Sequence, residues 1–299
     1  MKKEDYTIIL FYKFVNIKDQ ESFKIKQKRI AKSFNLKGRM LIAKEGVNAT
    51  FEGTTKNIKA YIKKLKSQNN VFSGKSEPSS SWKKVVFKES KGDGKAFTKL
   101  KIKVRPEIVT LGIGNLDIKK ETAPVVSASQ LDIMYEKKED FLVLDLRNDF
   151  EIKAGYFKNT INPKLRNFRD LPNKIKNIKH LKERKIVAVC TGGIRCEKAT
   201  VLLKKEGFKN LYQLEDGIHA YIKKFPGKFF KGSLFVFDNR MLTPVVENSK
   251  REIVGRCRYC NKKSEVFYND DSVRPSRKII CCSICIMQHK SSLRPAIPV

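Results

Sequence analysis

The run Lys185-Ile186-Val187-Ala188-Val189 feeds directly into Cys190-Thr191-Gly192-Gly193-Ile194-Arg195, and this junction limits the fold more than any other part of the sequence. A continuous apolar run without polar alternation reads as a strand buried on both faces. Two adjacent glycines allow the chain to turn sharply after it. Residues 197–206 then carry a helical pattern, with the helix expected to begin near Cys196 or Glu197. Residues 141–146 (FLVLDL) form a second apolar strand, with Asp145 near its end, and residues 211–214 a third. Helical patterns lie between these strands. The alternation over residues 123–225 predicts an α/β domain, a parallel sheet with helices on both faces. Ligands of such sheets bind at the carboxyl ends of the strands, where Asp145 and Cys190 both fall.

The loop at Cys190 has the makings of a thiolate site. Glycine-rich backbone can turn several amide N–H groups inward, and the helix that follows adds the positive end of its dipole. Arg195 supplies a fixed cation on the loop's far side. A cysteine so placed ionises below the free value of roughly 8.5. A nucleophile among donors suits attack on sulfur or retention of a bound anion. The plainer reading, a small cysteine packed at a strand end, leaves the glycines and the arginine unexplained. For Cys196 two roles stay open: resolving a disulfide with Cys190, or packing in the first helical turn.

Residues up to about 114 differ in pattern. Strands are expected at residues 6–14, 38–43, 47–51 and 85–87, and helices at 21–34 and 58–65. The order βαββαβ predicts an α+β sandwich of ferredoxin-like or acylphosphatase-like form. Residues 73–81 and 91–94 read as flexible loops. Residues 99–109 (KLKIKVRPEIV) alternate apolar and basic side chains, so one strand face presents Lys99, Lys101, Lys103 and Arg105. Such a face can meet phosphates or simply be solvated.

Charge points to a polyanionic partner. The chain of 299 residues holds 64 basic and 31 acidic residues, a formal net charge of +33. An excess of this size attracts nucleic acid, although it is spread along the whole sequence rather than gathered in one tail. No apolar run approaches the ~18 residues of a membrane span, and the N-terminus lacks the pattern of a secretory signal. A cytoplasmic protein is therefore expected. Seven cysteines in such a chain indicate metal binding or thiol chemistry rather than a disulfide framework. Cys257-x2-Cys260 and Cys282-x2-Cys285 stand 21 residues apart, a spacing that suits a structural zinc in a ribbon or knuckle. Cys281 can replace Cys282 on spacing alone, and His289 is a less favoured fourth ligand. Arg256, Arg258, Lys262 and Lys263 flank the first pair and suit RNA contact. Residues 226–299 otherwise show little helical periodicity.

The Cys190 loop has the Cys-x4-Arg form of rhodaneses, one residue shorter than the phosphate-fitted loop of related phosphatases. Asp145-Leu146-Arg147, with Glu151 and Gly155, resembles the rhodanese signature; Tyr156 stands where histidine is usual. The segment CTGGIRCEKA, from Cys190 to Ala199, is more specifically similar to the rhodanese-containing tRNA uridine hydroxylases. So are Lys44-Glu45-Gly46-Val47-Asn48-Ala49-Thr50, residues 99–112, Phe168-Arg169 and residues 235–240. At Asp216 the family's usual pair of glycines before Ile218 is reduced to Gly217 alone.

The resemblance implies an acylphosphatase-like domain over 1–114 and a rhodanese domain over 123–225; residues 226–299 read from their composition as a basic cysteine-rich region and a candidate zinc ribbon. It implies an enzyme that uses molecular oxygen to convert the wobble uridine of tRNA, uridine 34, into 5-hydroxyuridine. Cys190 matches the persulfide-forming cysteine, with Asp145, Arg147 and Cys196 in support. No flavin or nicotinamide fingerprint is present, and three histidines give no 2-His-1-carboxylate pattern. Phe168, Tyr212 and Tyr221 are candidates to stack on a splayed base, or members of the core. The alternatives are a plain sulfurtransferase that passes persulfide sulfur to an acceptor, and a non-catalytic RNA-binding module. The intact Cys190 and Arg195 argue against the latter. Sequence specifies no protein partner.

Overall fold

Strand β1 (Tyr6–Phe14) turns Ile9 and Phe11 into a core; on its other face Leu10 and Tyr12 are half-buried and Ile8 is buried against Ala96 and Phe97, a period-two alternation between the two faces of a sheet. It belongs to a computed structural model that describes residues 4–68, 81–114, 116–246 and 251–296. The chain divides into two units, Met1–Thr110 and Leu111–Val299.

In the first unit β1 leads to α1 (Gln20–Ser33), capped by Asp19 accepting from the Ser22 amide at 2.9 Å. Strands β2 (Lys37–Ala43) and β3 (Gly46–Thr54) form a hairpin, and α2 (Thr55–Lys66) follows, capped by Thr54. With β4 (Lys88–Gly92) and β5 (Leu100–Val104) the sheet order is β4-β1-β3-β2-β5, antiparallel except where β5 runs parallel to β2. Phe23, Ala31, Ile58, Tyr61 and Leu65 of the helices meet Phe11, Met40, Ile42 and Phe51 of the sheet. The expected βαββαβ order is present.

Two strand assignments need correction. Residues 85–87 are not the fourth strand: Trp82 and Val85 are buried, and Trp82 and Phe87 lie 5.8 and 4.8 Å from the Phe11 ring. This segment fills the core, and the polar run after it pairs with β1. Pairing of backbone groups at an edge does not require apolar side chains, so Lys91 and Gly92 are strand rather than loop. The basic strand ends at Val104: Arg105 still donates its amide to Ile42 at 2.8 Å, but Pro106 has no N–H to continue the ladder. The expected loop at 73–81 lies, apart from Ser81, outside the described residues.

The second unit begins with the short helix α3 (Ile118–Glu121) and strand β6 (Val125–Val126). Then come α4 (Ala128–Glu136), β7 (Leu142–Asp145), α5 (Asp149–Ile152), β8 (Gly155–Phe157) and β9 (Thr160–Ile161). After α6 (Leu171–Lys174) and a 3-10 turn follow β10 (Ile186–Val189), α7 (Ile194–Lys205), β11 (Leu211–Leu214) and α8 (Gly217–Lys224). The sheet β6-β11-β10-β7-β9 is parallel throughout, as the apolar runs predicted. Leu131 and Met134 of α4 and Ile218 and Tyr221 of α8 share a core with Val143, Val187 and Val189.

Beyond the parallel sheet, β12 (Phe230–Phe235) pairs with both β8 and β13 (Leu242–Pro244). A last sheet, in the order β15-β14-β16, joins β14 (Phe267–Asp270), β15 (Arg277–Ile280) and β16 (Leu293–Pro295). Helix α9 (Ser283–Gln288) is the single short helix among the described residues after 226. Among the described residues no helix is long and apolar enough to cross a membrane.

Candidate active site

Strand β10 delivers Cys190 at its carboxyl end, between β7 and β11 at the centre of the sheet. Gly193, at φ 98°, takes the left-handed conformation that lets the chain enter α7 at once. The helix therefore begins at Ile194, two to three residues earlier than expected, and Arg195 lies in its first turn rather than on a free loop. Cys190 is fully buried, and the Gly193 N–H donates to its sulfur at 3.2 Å. Thr191 and Ile194 are the half-exposed residues of the loop.

Burial alone pushes the Cys190 thiol up. The Cys196 thiol donating to it, the Arg195 charge and the backbone N–H groups of Cys196 and Arg195 outweigh burial and bring it down to about 5. Cys190 is thus a thiolate at neutral pH. Cys196 moves the other way: burial and its bond to Cys190 keep its thiol protonated. The pair is one thiolate and one donor.

Glu151 fixes the arginine. Its carboxylate accepts from Arg195 Nη1 at 2.6 Å and Nη2 at 2.9 Å, and Arg195 Nη2 also donates to Thr191 Oγ1 at 3.1 Å. Glu151 is itself fully buried and accepts the Asn148 amide at 2.9 Å. A bidentate ion pair holds the guanidinium plane in one orientation. Sequence reasoning placed Glu151 only within a family signature; its local signal is the Asn148-x-x-Glu151 spacing of a capping box at α5.

Asp145 and Arg147 form a second buried ion pair, with Asp145 in register with Val189 on the neighbouring strand. Arg147 Nε and Nη2 bond Asp145 at 2.9 and 2.6 Å, and Nη2 also bonds the Gly155 carbonyl at 2.7 Å. The fully buried pair ties the end of β7 to the start of β8, and the Asp145 charge is felt at Arg195 and Cys196. Tyr156, 39% exposed, points outward from β8.

The N-terminus of α8 closes the loop from the other side. The Ile218 and His219 amides donate to the Cys190 and Thr191 carbonyls at 2.9 and 3.0 Å. A Cβ at Gly217 would stand 2.6 Å from the Cys190 carbonyl oxygen and 2.7 Å from the Gly193 nitrogen, so a hydrogen is all that fits. Asp216 adopts φ 57°, a left-handed conformation that aspartate tolerates better than most residues. Two base-stacking candidates belong to the core instead. Tyr221 is fully buried with its hydroxyl on Asp132, and Phe168 is 6% exposed. Tyr212 is half-buried beside a 280 Å³ cavity also lined by Val126, Met134 and Lys185.

The basic positions Lys99, Lys101, Lys103 and Arg105 are all exposed, with Leu100, Ile102 and Val104 packed on the core of the first unit. Glu45 and Asn48, from the EGVNAT block, hold the chain beyond that strand: the Ile108 N–H donates to Glu45 at 2.7 Å, and Asn48 donates to the Ile108 carbonyl at 3.1 Å.

Near the C-terminus, Cys257, Cys260, Cys282 and Cys285 gather with all four sulfurs within 4.8 Å of one another. Cys260 and Cys282 are 3.6 Å apart. Burial raises the Cys257 thiol, but amide N–H groups of Cys260, Cys282 and Tyr259 bring it down to about 6. The Cys281 sulfur is not one of the four; its thiol lies against the Cys282 carbonyl and hydrogen-bonds to Cys257, and burial, with the Cys257 charge, pushes it up to about 12. The His289 ring stacks on Tyr259 with centroids 3.7 Å apart. The four sulfurs can hold one metal ion.

Three family models match in succession: the UPF0176 acylphosphatase like domain over residues 6–108, the rhodanese-like domain over 127–224 and the rhodanase C-terminal domain over 231–295. The chain is 38% identical over 281 residues to the tRNA uridine(34) hydroxylase of Onion yellows phytoplasma, covering 92% of this chain and 87% of the relative. It is 35% identical over 285 residues to that of Bacillus cytotoxicus, covering 93% and 83%. A rhodanese-like domain protein from Staphylococcus aureus, known as a crystal structure, is 24% identical over 33% of this chain and 90% of its own, with a TM-score of 0.29. With a thiolate cradle in the rhodanese segment and full-length relatives of this kind, the chain belongs to the tRNA uridine(34) hydroxylase family.

Proposed function

We propose that this chain hydroxylates C5 of uridine 34 in tRNA to 5-hydroxyuridine, with Cys190 as the persulfide-forming residue and molecular oxygen as co-substrate, one oxygen atom entering the base and the other leaving as water with two electrons and two protons from an external reductant. The observation that carries the reading is the Cys190 cradle, set in a chain that aligns over 92% of its length with a uridine(34) hydroxylase. Attack by the thiolate on the outer sulfur of a donor forms an S–S bond at Cys190. The donor's bond to that sulfur breaks, and the donor leaves with the electron pair. The inward amides and Arg195 then stabilise the negative persulfide. Thr191 and Ile194, the half-exposed loop residues, are where the uridine base approaches. The net charge of +33 favours tRNA as the macromolecular substrate, with affinity that falls as salt rises. A wobble base sits in a single-stranded loop and can be splayed out for reaction.

The cysteine group near the C-terminus is assigned to zinc. Four thiolates around zinc at about 2.3 Å give sulfur–sulfur edges of about 3.8 Å, and the 3.6 Å between Cys260 and Cys282 fits such a site. Four protein ligands leave no open position, so the ion would hold the two ends of this segment together rather than take part in oxidation.

The test is nucleoside mass spectrometry of tRNA from cells lacking the gene. Derivatives of 5-hydroxyuridine disappear on deletion and return with the wild-type chain. Unchanged nucleosides on deletion, together with thiosulfate-to-cyanide turnover that depends on Cys190, would instead establish a sulfurtransferase.

A further inference from the structure

The sheet of the first unit covers one face with α1 and α2 and turns the other away from them. Backbone register fixes which side chains share that second face. One row across the strands reads Lys88, Leu10, Thr50, Arg39, Lys101. The next reads Tyr12, Asn48, Leu41, Lys103. Along β5, Lys99, Lys101, Lys103 and Arg105 project on this side at every second residue, about 6.6 Å apart at ordinary strand rise. That repeat is comparable with the spacing of successive phosphates along an extended single strand.

The face is basic and partly aromatic. The Tyr12 ring is half-buried, with Lys88 Nζ 5.1 Å from its centroid, and Phe14 packs edge-on against it at 6.0 Å. Arg39 lies 5.7 Å from the Phe97 ring. Glu52, the acid on this face of β3, is 2% exposed, and its carboxylate accepts the Gly94 and Ala96 amides at 2.9 Å each. Its charge is thereby taken up within the protein. Ala96 and Phe97 cover Ile8 on this face, and Lys88 is buried; what remains outward is a ladder of cations on the edge strand β5, with the half-buried Tyr12 ring three strands away, about 14 Å at ordinary strand spacing. Split βαβ sheets use this arrangement for single-stranded RNA, with bases on aromatic rings and phosphates on flanking bases.

We propose that this face is a platform for single-stranded RNA, engaging the loop of the tRNA substrate through phosphate contacts at Lys101 and Lys103 and a base stacked on Tyr12. The inference rests on the proposed function for the identity of the RNA and adds a binding surface remote in sequence from Cys190.

The probe is a hairpin RNA the size of an anticodon arm with uridine at the wobble position, titrated by fluorescence anisotropy against the full chain over a salt series. A fully paired duplex of equal length is the comparison. Lys101→Gln with Lys103→Gln alters exposed side chains, and should reduce the slope of log K against log salt by about 1.4, since each single-strand phosphate contact contributes about 0.7. Tyr12→Leu should weaken hairpin binding about tenfold while leaving the slope unchanged. Wild-type affinity and slope in the lysine double variant would overturn the proposal. So would an equal loss on the duplex, which would mean a surface for any polyanion. Either failure would leave the nucleoside result from deletion cells untouched, so the two readings fail separately.

Discussion

Cys190 and the group Cys257, Cys260, Cys282 and Cys285 use the same atom for opposite ends. At Cys190 the surroundings converge on one sulfur: an amide at 3.2 Å, a neighbouring thiol and a cation locked by Glu151. Its negative charge is balanced by the protein itself, so the sulfur is available to react. In the second group four sulfurs converge on one another, within 4.8 Å. That arrangement becomes favourable only when a cation neutralises it. The two groups are thus separated by where positive charge can come from: fixed dipoles and arginine at Cys190, and under the proposed zinc assignment an added ion at the four-cysteine group.

The largest expected effect breaks the second side of the comparison. Cys282→Ser should lower bound zinc from about one per chain to near zero and markedly lower the melting temperature, because metal binding at such sites is folding energy. Cys281→Ser, one residue away, should keep the full zinc content. Metal analysis and thermal unfolding on both variants check this, and equal loss in both would mean that the ligand set is wrong.

Next is the fixed cation at Cys190. Arg195→Met leaves Glu151 buried without its partner, and stability should fall by about 3–5 kcal/mol in denaturant titration, as for broken buried pairs generally. The Cys190 thiol should rise as well, since the Arg195 charge is one of the causes that lower it. A variant as stable as the wild type would remove the ion pair from the account.

The smallest effect concerns the neighbouring thiol. With Cys190 near 5, the thiolate is present above that pH and lost as pH falls through it, so alkylation by iodoacetamide should be nearly flat from about pH 7 upward and drop below about pH 5. Cys196→Ala removes one hydrogen bond and should move the midpoint up by about one unit. An unmoved midpoint in a pH-resolved alkylation series would assign Cys196 to packing alone.

Much of this was legible in the sequence where one local rule decided the outcome. Strand β1 follows from its apolar β-branched run, the parallel sheet from its apolar strands, and the gathered sulfurs from the two Cys-x2-Cys pairs. What was not legible depended on contacts across the fold. The start of α7 turns on the left-handed conformation of Gly193, which a glycine permits without announcing. The fourth strand of the first unit was placed on Val85 and Phe87 because they are apolar, whereas tertiary packing takes those residues into the core. Spacing could not choose between Cys281 and Cys282; in three dimensions it is the Cys282 sulfur that gathers with those of Cys257, Cys260 and Cys285. Glu151 and Gly217 matter because they come from other elements to meet the Cys190 loop, which no window around Cys190 contains.

The most direct test of the central claim is to complement deletion cells with Cys190→Ala at wild-type protein level and measure tRNA nucleosides by mass spectrometry, with zinc content and melting temperature of the purified variant as controls. The account predicts full zinc, an unchanged cysteine group and no 5-hydroxyuridine or its derivatives. Restoration of those nucleosides by Cys190→Ala would contradict it.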